Sequence, residues 1–384
     1  MTAQRHYLDH ASTTPLRAEA GRAMSDWLET AGQPGGVGDP GRVHTEGRVA
    51  RDAIEQARAQ LAALFGTEPS RVVFTSGATE AANAAVFSAA AQRPSGPLVA
   101  AAVEHSSVRE ACSRAGSPVL VPGVDGAGRL NLDELDRILL GDRPALVNCQ
   151  LANHEVGTLQ PVEEVIARCG HAGVPVHVDA AAAAGHLALD FAAMGASYLS
   201  VSSHKLGGPP GTGALLIRRG LRLAPLLVGG SEERGRRAGA ENVLGIVGFG
   251  AACEALSVDG VLGAEAARAG EHTRALIAAA EGVTGVEVVG DPDRRAPHIV
   301  GLSIGGVLGE AVLLSLDRAG VATHSGSACS SEVLEPSPVL AAMGLDPDRS
   351  LRVSVGWTTT ADDVAAFGDA FGRCVEDLRS LGGT

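Results

Sequence analysis

Seven short apolar runs, separated by stretches of helical period, constrain this chain more than any other feature. They are RVVFTS (71–76), PLVAAAV (97–103), PVLVPG (118–123), ALVNCQL (145–151), VPVHVDA (174–180), YLSVSS (198–203) and GALLIRR (213–219). Several are apolar at consecutive positions, as strands covered on both faces are. Their alternation with helices implies an α/β domain built on a largely parallel sheet. The stretch RVARDAIEQARAQLAALFG sets Val49, Ile54, Ala57, Leu61 and Leu64 on one helical face and stops at Gly66. After a long helical stretch from Gly239 to about Leu256 the pattern changes. A helix near 263–281, strands near 285–290 and 298–304, a helix near 308–319 and a closing helix from about 359 predict a smaller α+β domain. SVDGVLG (257–263) is its expected hinge.

A net charge of −13 argues against a surface that binds nucleic acid through its phosphates, and RGRR (234–237) is too short to reverse that. The N-terminus MTAQRHYLDHASTT has no apolar run of signal-peptide length, and nowhere do about 18 uncharged apolar residues follow one another, so a cytoplasmic protein with no membrane association is expected. Six cysteines lack both a CxxC pair and a zinc spacing, which predicts free thiols and no metal centre.

Of the 31 basic residues, 30 are arginine; the exception is Lys205, in SVSSHKLGGPPGTG. Arginine replaces lysine as a surface cation but not as an amine nucleophile, because its guanidinium stays protonated. A single lysine between a strand end and a glycine-rich turn is therefore a candidate covalent anchor for a carbonyl cofactor such as pyridoxal phosphate. That cofactor needs a carboxylate on its ring nitrogen, and Asp179 closes the strand VPVHVD; a helix N-cap is an equally good reading of Asp179 alone. Its phosphate needs backbone donors, and VFTSGATEAANAAVF supplies a strand, the turn Ser76-Gly77-Ala78 and a helix opening at Thr79. His105 in AVEHSS lies at another strand end, where a planar side chain could stack on a flat ring and later move protons; a structural histidine is the alternative reading. In ATHSGSACSSEVLEPS, Cys329 stands among small and polar residues, where a thiol is accessible, and Arg352 in LRVSVG suits a bidentate grip on a substrate carboxylate, with a solvated strand residue the alternative for that arginine alone.

Taken together these residues resemble the cysteine desulfurases of the class V aminotransferase-like, pyridoxal-phosphate fold type I superfamily. The resemblance runs from YLDHASTTP (7–15) through FTSGATE, VEHSSV, NHEVG, HVDA, SSHKLGGPPGTG and RRAGAENV to SGSACSS and LRVSVG (351–356), with Asp179 and Lys205 separated by 26 residues. It implies an aspartate-aminotransferase-like large domain over 15–257 with a mostly parallel sheet. Residues 1–14 and 258–384 would form the smaller domain carrying the cysteine loop. It further implies that Lys205 holds pyridoxal 5'-phosphate, Asp179 pairs with its ring nitrogen and His105 stacks on the ring and assists proton transfer. Gly77, Ala78, Thr79, Ser202 and His204 would cradle the phosphate, and Arg352 with Asn153 would bind substrate. L-cysteine would yield L-alanine and a persulfide on Cys329, passed on to a sulfur-acceptor protein by a homodimer.

Three positions depart from the family pattern. Ala182 stands where the family has a glutamine near the cofactor's phenolic oxygen, His154 where it has an asparagine, and Ala240 where it has a threonine that reaches the partner subunit's phosphate. His154 is thereby a candidate cofactor contact. A selenocysteine lyase or another pyridoxal-phosphate lyase of the same fold, and a degenerate paralogue serving as a sulfur carrier or structural partner, are the competing readings.

Overall fold

The computed structural model describes residues 5–33, 36, 38–325 and 336–382. Cys329 lies outside them.

A short N-terminal strand, β1 (His6–Tyr7), precedes the main sheet. All seven apolar runs contribute to that sheet: β2 (Val72–Thr75), β3 (Leu98–Val99), β4 (Val119–Leu120), β5 (Leu146–Gln150), β6 (Val176–Asp179), β7 (Tyr198–Ser202) and β8 (Gly213–Ile217). Their order is β2-β8-β7-β6-β5-β3-β4. The pairs among β3 to β7 are parallel, with helices as crossovers. β8 is antiparallel to both neighbours, because the loop from β7 is too short for a crossover helix. Of the run 97–103 only Leu98–Val99 forms a strand; the chain then leaves the sheet and delivers Glu104 and His105.

The helix Thr45–Leu64 buries Ala50, Ile54, Ala57 and Leu61 and packs on the helix Val243–Ser257. Val49 is 38% exposed, contrary to the expected face. The buried stripe runs through Ala50, at the helical spacing of Ile54, Ala57 and Leu61. The RGRR cluster begins beside Glu233, whose buried carboxylate pairs with Arg58 at 2.7 Å and accepts from the Phe74 amide at 3.0 Å. This ties that loop to β2.

A second core surrounds a three-stranded antiparallel sheet of β9 (Val286–Val289), β10 (Ile299–Ile304) and β12 (Ser350–Ser354). Leu302, Ile304, Leu316, Phe367 and Phe371 fill it, with Leu8 from the N-terminal segment. β1 pairs in parallel with β11 (Val321–Ala322) on its flank. The helices Val243–Ser257 and Val261–Glu281 meet at 81° in the stretch expected to be the hinge. Among the described residues no single helix is long and apolar enough to cross a membrane.

Candidate active site

The strand ends and the N-terminal segment converge on a cavity of about 460 Å³. Lys205, Asp179, His105, His154, Ser202, His204 and Arg352 all line it.

Lys205 ends a single 3-10 turn, Ser203–Lys205, at the end of β7. The chain turns away through Gly207 at φ 92°, where a Cβ would strike Arg17. On the same cavity, Asp179 closes β6. Its Oδ1 accepts from the Ala181 amide at 3.0 Å and the Ser200 hydroxyl at 3.1 Å, and no helix begins there. Asp179 is buried, and Ser200 in turn contacts the buried His177 ring at 3.1 Å.

Ser76, Gly77, Ala78 and Thr79 form another wall, at the start of the helix Ala78–Gln92. No side chain caps that helix, so its first amides are available to an anion. A Cβ on Gly77 would meet nothing within 4 Å, leaving the turn open toward the cavity. Gly213 of β8 lies behind it, where a Cβ would fall 2.6 Å from Gly77 Cα. Only glycine lets β8 approach so closely.

His105 caps the helix Ser106–Arg114: its Nδ1 accepts from the Ser107 amide at 3.1 Å and lies 2.8 Å from the Ser107 hydroxyl. The His154 ring meets it edge-to-face at 5.0 Å. His154 Nε2 lies 3.5 Å from the Glu155 carboxylate, which accepts from Ser337 at 2.6 Å. His204 contacts the Thr13 hydroxyl at 3.1 Å; burial, aided by the Lys205 charge, pushes its pKa down to about 4.

Arg352 is 4% exposed, and its guanidinium donates to the His154 carbonyl at 2.8 Å, Asp9 at 2.8 Å and Ser12 at 2.6 Å. Asn153 does not line the cavity, contrary to the expectation that it binds substrate. Its Oδ1 accepts from the Glu155 and Val156 amides and its Nδ2 donates to the Val103 carbonyl, so the side chain is spent holding a turn. Gln150 and Ala152 line the cavity instead. Of the departures, Ala182 lines the cavity, whereas Ala240 lines a smaller adjoining space with Arg237 and Asn242.

Sequence reasoning missed Asp9, Ser12 and Glu104. Glu104 is buried with one carboxyl oxygen on the Gln150 amide at 2.8 Å, and burial raises its pKa to about 8. The five described cysteines are free and buried, and burial pushes Cys112 and Cys169 up to about 12. None of them suits a thiolate nucleophile.

These residues fit pyridoxal phosphate. The cavity holds one amine, a buried carboxylate, a planar ring, and an open glycine turn whose helix amides, among the described residues, are not capped by a side chain and suit the phosphate.

Comparison with known proteins agrees. The family model for aminotransferase class-V matches residues 6–367. A cysteine desulfurase of Trichormus azollae is 38% identical, the match covering 98% of this chain and 94% of that protein. The structure of a NifS-like protein from Rickettsia africae superposes with a TM-score of 0.88 at 26% identity, covering 97% of this chain and all of that one. That of SspA in complex with cysteine gives 0.77 at 28% identity, over 91% and 99%. The chain belongs to the class-V aminotransferase family, among relatives that are cysteine desulfurases.

Proposed function

We propose that this protein is a pyridoxal-phosphate-dependent cysteine desulfurase. It takes sulfur from L-cysteine, releases L-alanine and hands the sulfur, held as a persulfide on Cys329, to an acceptor protein, working as a homodimer. The observation that carries this reading is the meeting of the chain's sole lysine with Asp179, His105 and Arg352 around one cavity.

When bound, pyridoxal phosphate supplies an electron sink that weakens the bond between the substrate's β-carbon and its sulfur. Lys205 would hold it, with Asp179 on the ring nitrogen and His105 against the ring. Gly77, Ala78, Thr79, Ser202 and His204 would take the phosphate. Arg352 orients the substrate by its carboxylate, a charge-assisted contact strengthened by burial. Lys205, once free as an amine, moves the proton from the substrate's α-carbon. The Cys329 thiolate attacks the substrate sulfur; the S–S bond forms, the C–S bond breaks, and the β-carbon gains the proton that completes alanine.

Borohydride trapping of the cofactor-loaded protein tests the anchor. The mass gain should fall on the peptide containing Lys205, and failure to find an adduct there would overturn the assignment.

A further inference from the structure

On the reading of Lys205 as the cofactor's anchor, we propose that His186 is a positioning residue for it: the His186 ring holds the lysine's backbone, and the ring of His298, at the entry to β10, clamps it there.

Lys205 stands on a turn too short to hold itself. The amides of Leu206 and Gly208 close it on the Ser203 carbonyl at 3.1 and 3.0 Å. The carbonyls that follow are held from elsewhere in the chain. That of His204 accepts from the Thr14 amide at 3.0 Å, that of Leu206 from Arg17 Nε at 2.9 Å, and that of Gly207 from the Arg17 amide at 2.8 Å. Between them, the backbone of Lys205 bonds the His186 ring, and because that bond favours the ring's proton, it is the carbonyl that accepts. A neutral imidazole has one N–H to give, and here it goes to the lysine. A lysine side chain carries ~2 kcal/mol of rotamer entropy, so the backbone is the part of its aim that the fold can fix.

The loop after β6 brings His186 to that turn. The His186 amide donates to the Ala183 carbonyl at 3.0 Å, and Gly185 stands at φ 83°, where a Cβ would fall 2.5 Å from Leu206 Cβ. The loop and the lysine turn are therefore in direct contact. From the other side the His298 ring lies face to face with that of His186, the centroids 3.5 Å apart and the planes at 7°. Burial keeps both rings neutral, so the stack sets no cation against another. His298 is itself buried, and its carbonyl accepts from the Val355 amide at 3.0 Å, just past β12, the strand that carries Arg352. Lys205 on the main sheet and Arg352 on the three-stranded sheet are thus joined through two stacked rings. Neither ring lines the cavity, so both act through the lysine.

Because Lys205 is the only lysine, carbonyl-¹³C lysine places a single labelled carbonyl in the chain. The experiment adds ring-¹⁵N histidine and measures, by rotational-echo solid-state NMR, whether a ring nitrogen dephases that one carbonyl signal. Dephasing at hydrogen-bond separation is expected in the wild-type protein, loss of it in His186→Phe, which keeps a flat ring without the N–H, and a weaker effect in His298→Ala. On addition of pyridoxal phosphate, His186→Phe should form the Lys205 adduct about tenfold more slowly, as followed by absorbance, and His186→Gln, which keeps an N–H, should recover most of that rate. With L-cysteine, kcat for sulfide should fall about tenfold in His186→Phe while KM stays within about twofold, since the Arg352 grip is untouched. No dephasing in the wild-type protein, or adduct formation at the wild-type rate in His186→Phe, would overturn the proposal. The dephasing needs neither cofactor nor substrate, and adduct formation needs no sulfur chemistry. A lack of sulfide from the wild-type protein would therefore count against the desulfurase reading alone.

Discussion

The Arg352 guanidinium donates to Asp9 Oδ1 at 2.8 Å, so the residue expected to grip the substrate carboxylate already holds one belonging to the protein. Substrate must compete with it or share the fork. Asp9→Asn is expected to lower the KM for L-cysteine about threefold to tenfold while lowering stability by ~1–3 kcal/mol, because a buried guanidinium loses its counter-charge. Arg352→Lys, which loses the bidentate fork, should raise KM by about 100-fold. Steady-state kinetics and a denaturant melt measure both, and an unchanged KM in each variant would contradict the assignment.

Gly213 lets β8 lie against Gly77, the turn proposed to take the phosphate. Gly213→Ala places a methyl where backbone already stands. The variant should lose ~1–3 kcal/mol of stability and bind pyridoxal phosphate at least about tenfold more weakly. A cofactor titration followed by absorbance checks this; wild-type affinity would show that the close approach does not shape the cradle.

Stability should fall steeply on mild acidification. Burial pushes His10 and His177 down to about 4 and His186 to about 3, and His298 is lowered well below its ordinary value, its ring stacked 3.5 Å from that of His186. Above pH about 6.5 these rings are neutral whether folded or unfolded, and nothing is lost. Between about 6.5 and 4 the unfolded chain takes up protons that the folded chain refuses. Each fully buried ring then removes up to ~3 kcal/mol. Melting temperature against pH should drop across this window, and a His177→Gln variant should drop less. A flat profile from pH 7 to 4 would contradict the burial of these rings.

Glu104 works in the opposite direction. Its folded pKa is raised to about 8, so as pH climbs from about 4.5 the unfolded carboxyl ionises first and stability is lost. Glu104→Gln keeps the acceptor for the Gln150 amide and removes the charge. It should leave stability at pH 5 nearly unchanged and raise it by a few kcal/mol at pH 8, as read from denaturant melts at the two values.

Much of this molecule was legible before any coordinates. The seven runs of the main sheet announce themselves because a strand covered on both faces must be apolar at consecutive positions. Lys205, Asp179, His105 and Arg352 announce themselves because their chemistry cannot be exchanged for that of a neighbour. Asp9 and Ser12 were hidden: they meet Arg352 from more than 300 residues away, through a strand of two residues whose pairing has no local signature. Asn153 misled because a polar side chain beside a site reads the same whether it faces substrate or braces a turn. Val49 misled by one position, since apolar residues at 49 and 50 leave the phase of the buried stripe open.

The most direct measurement supplies L-cysteine and a thiol reductant to the cofactor-loaded protein and quantifies sulfide and alanine beside Lys205→Ala and Cys329→Ala. Equal amounts of both products, abolished in each variant, are predicted. An intact cofactor adduct on Lys205 with neither product formed, or sulfide released undiminished by Cys329→Ala, would contradict the account of a desulfurase that carries sulfur on Cys329.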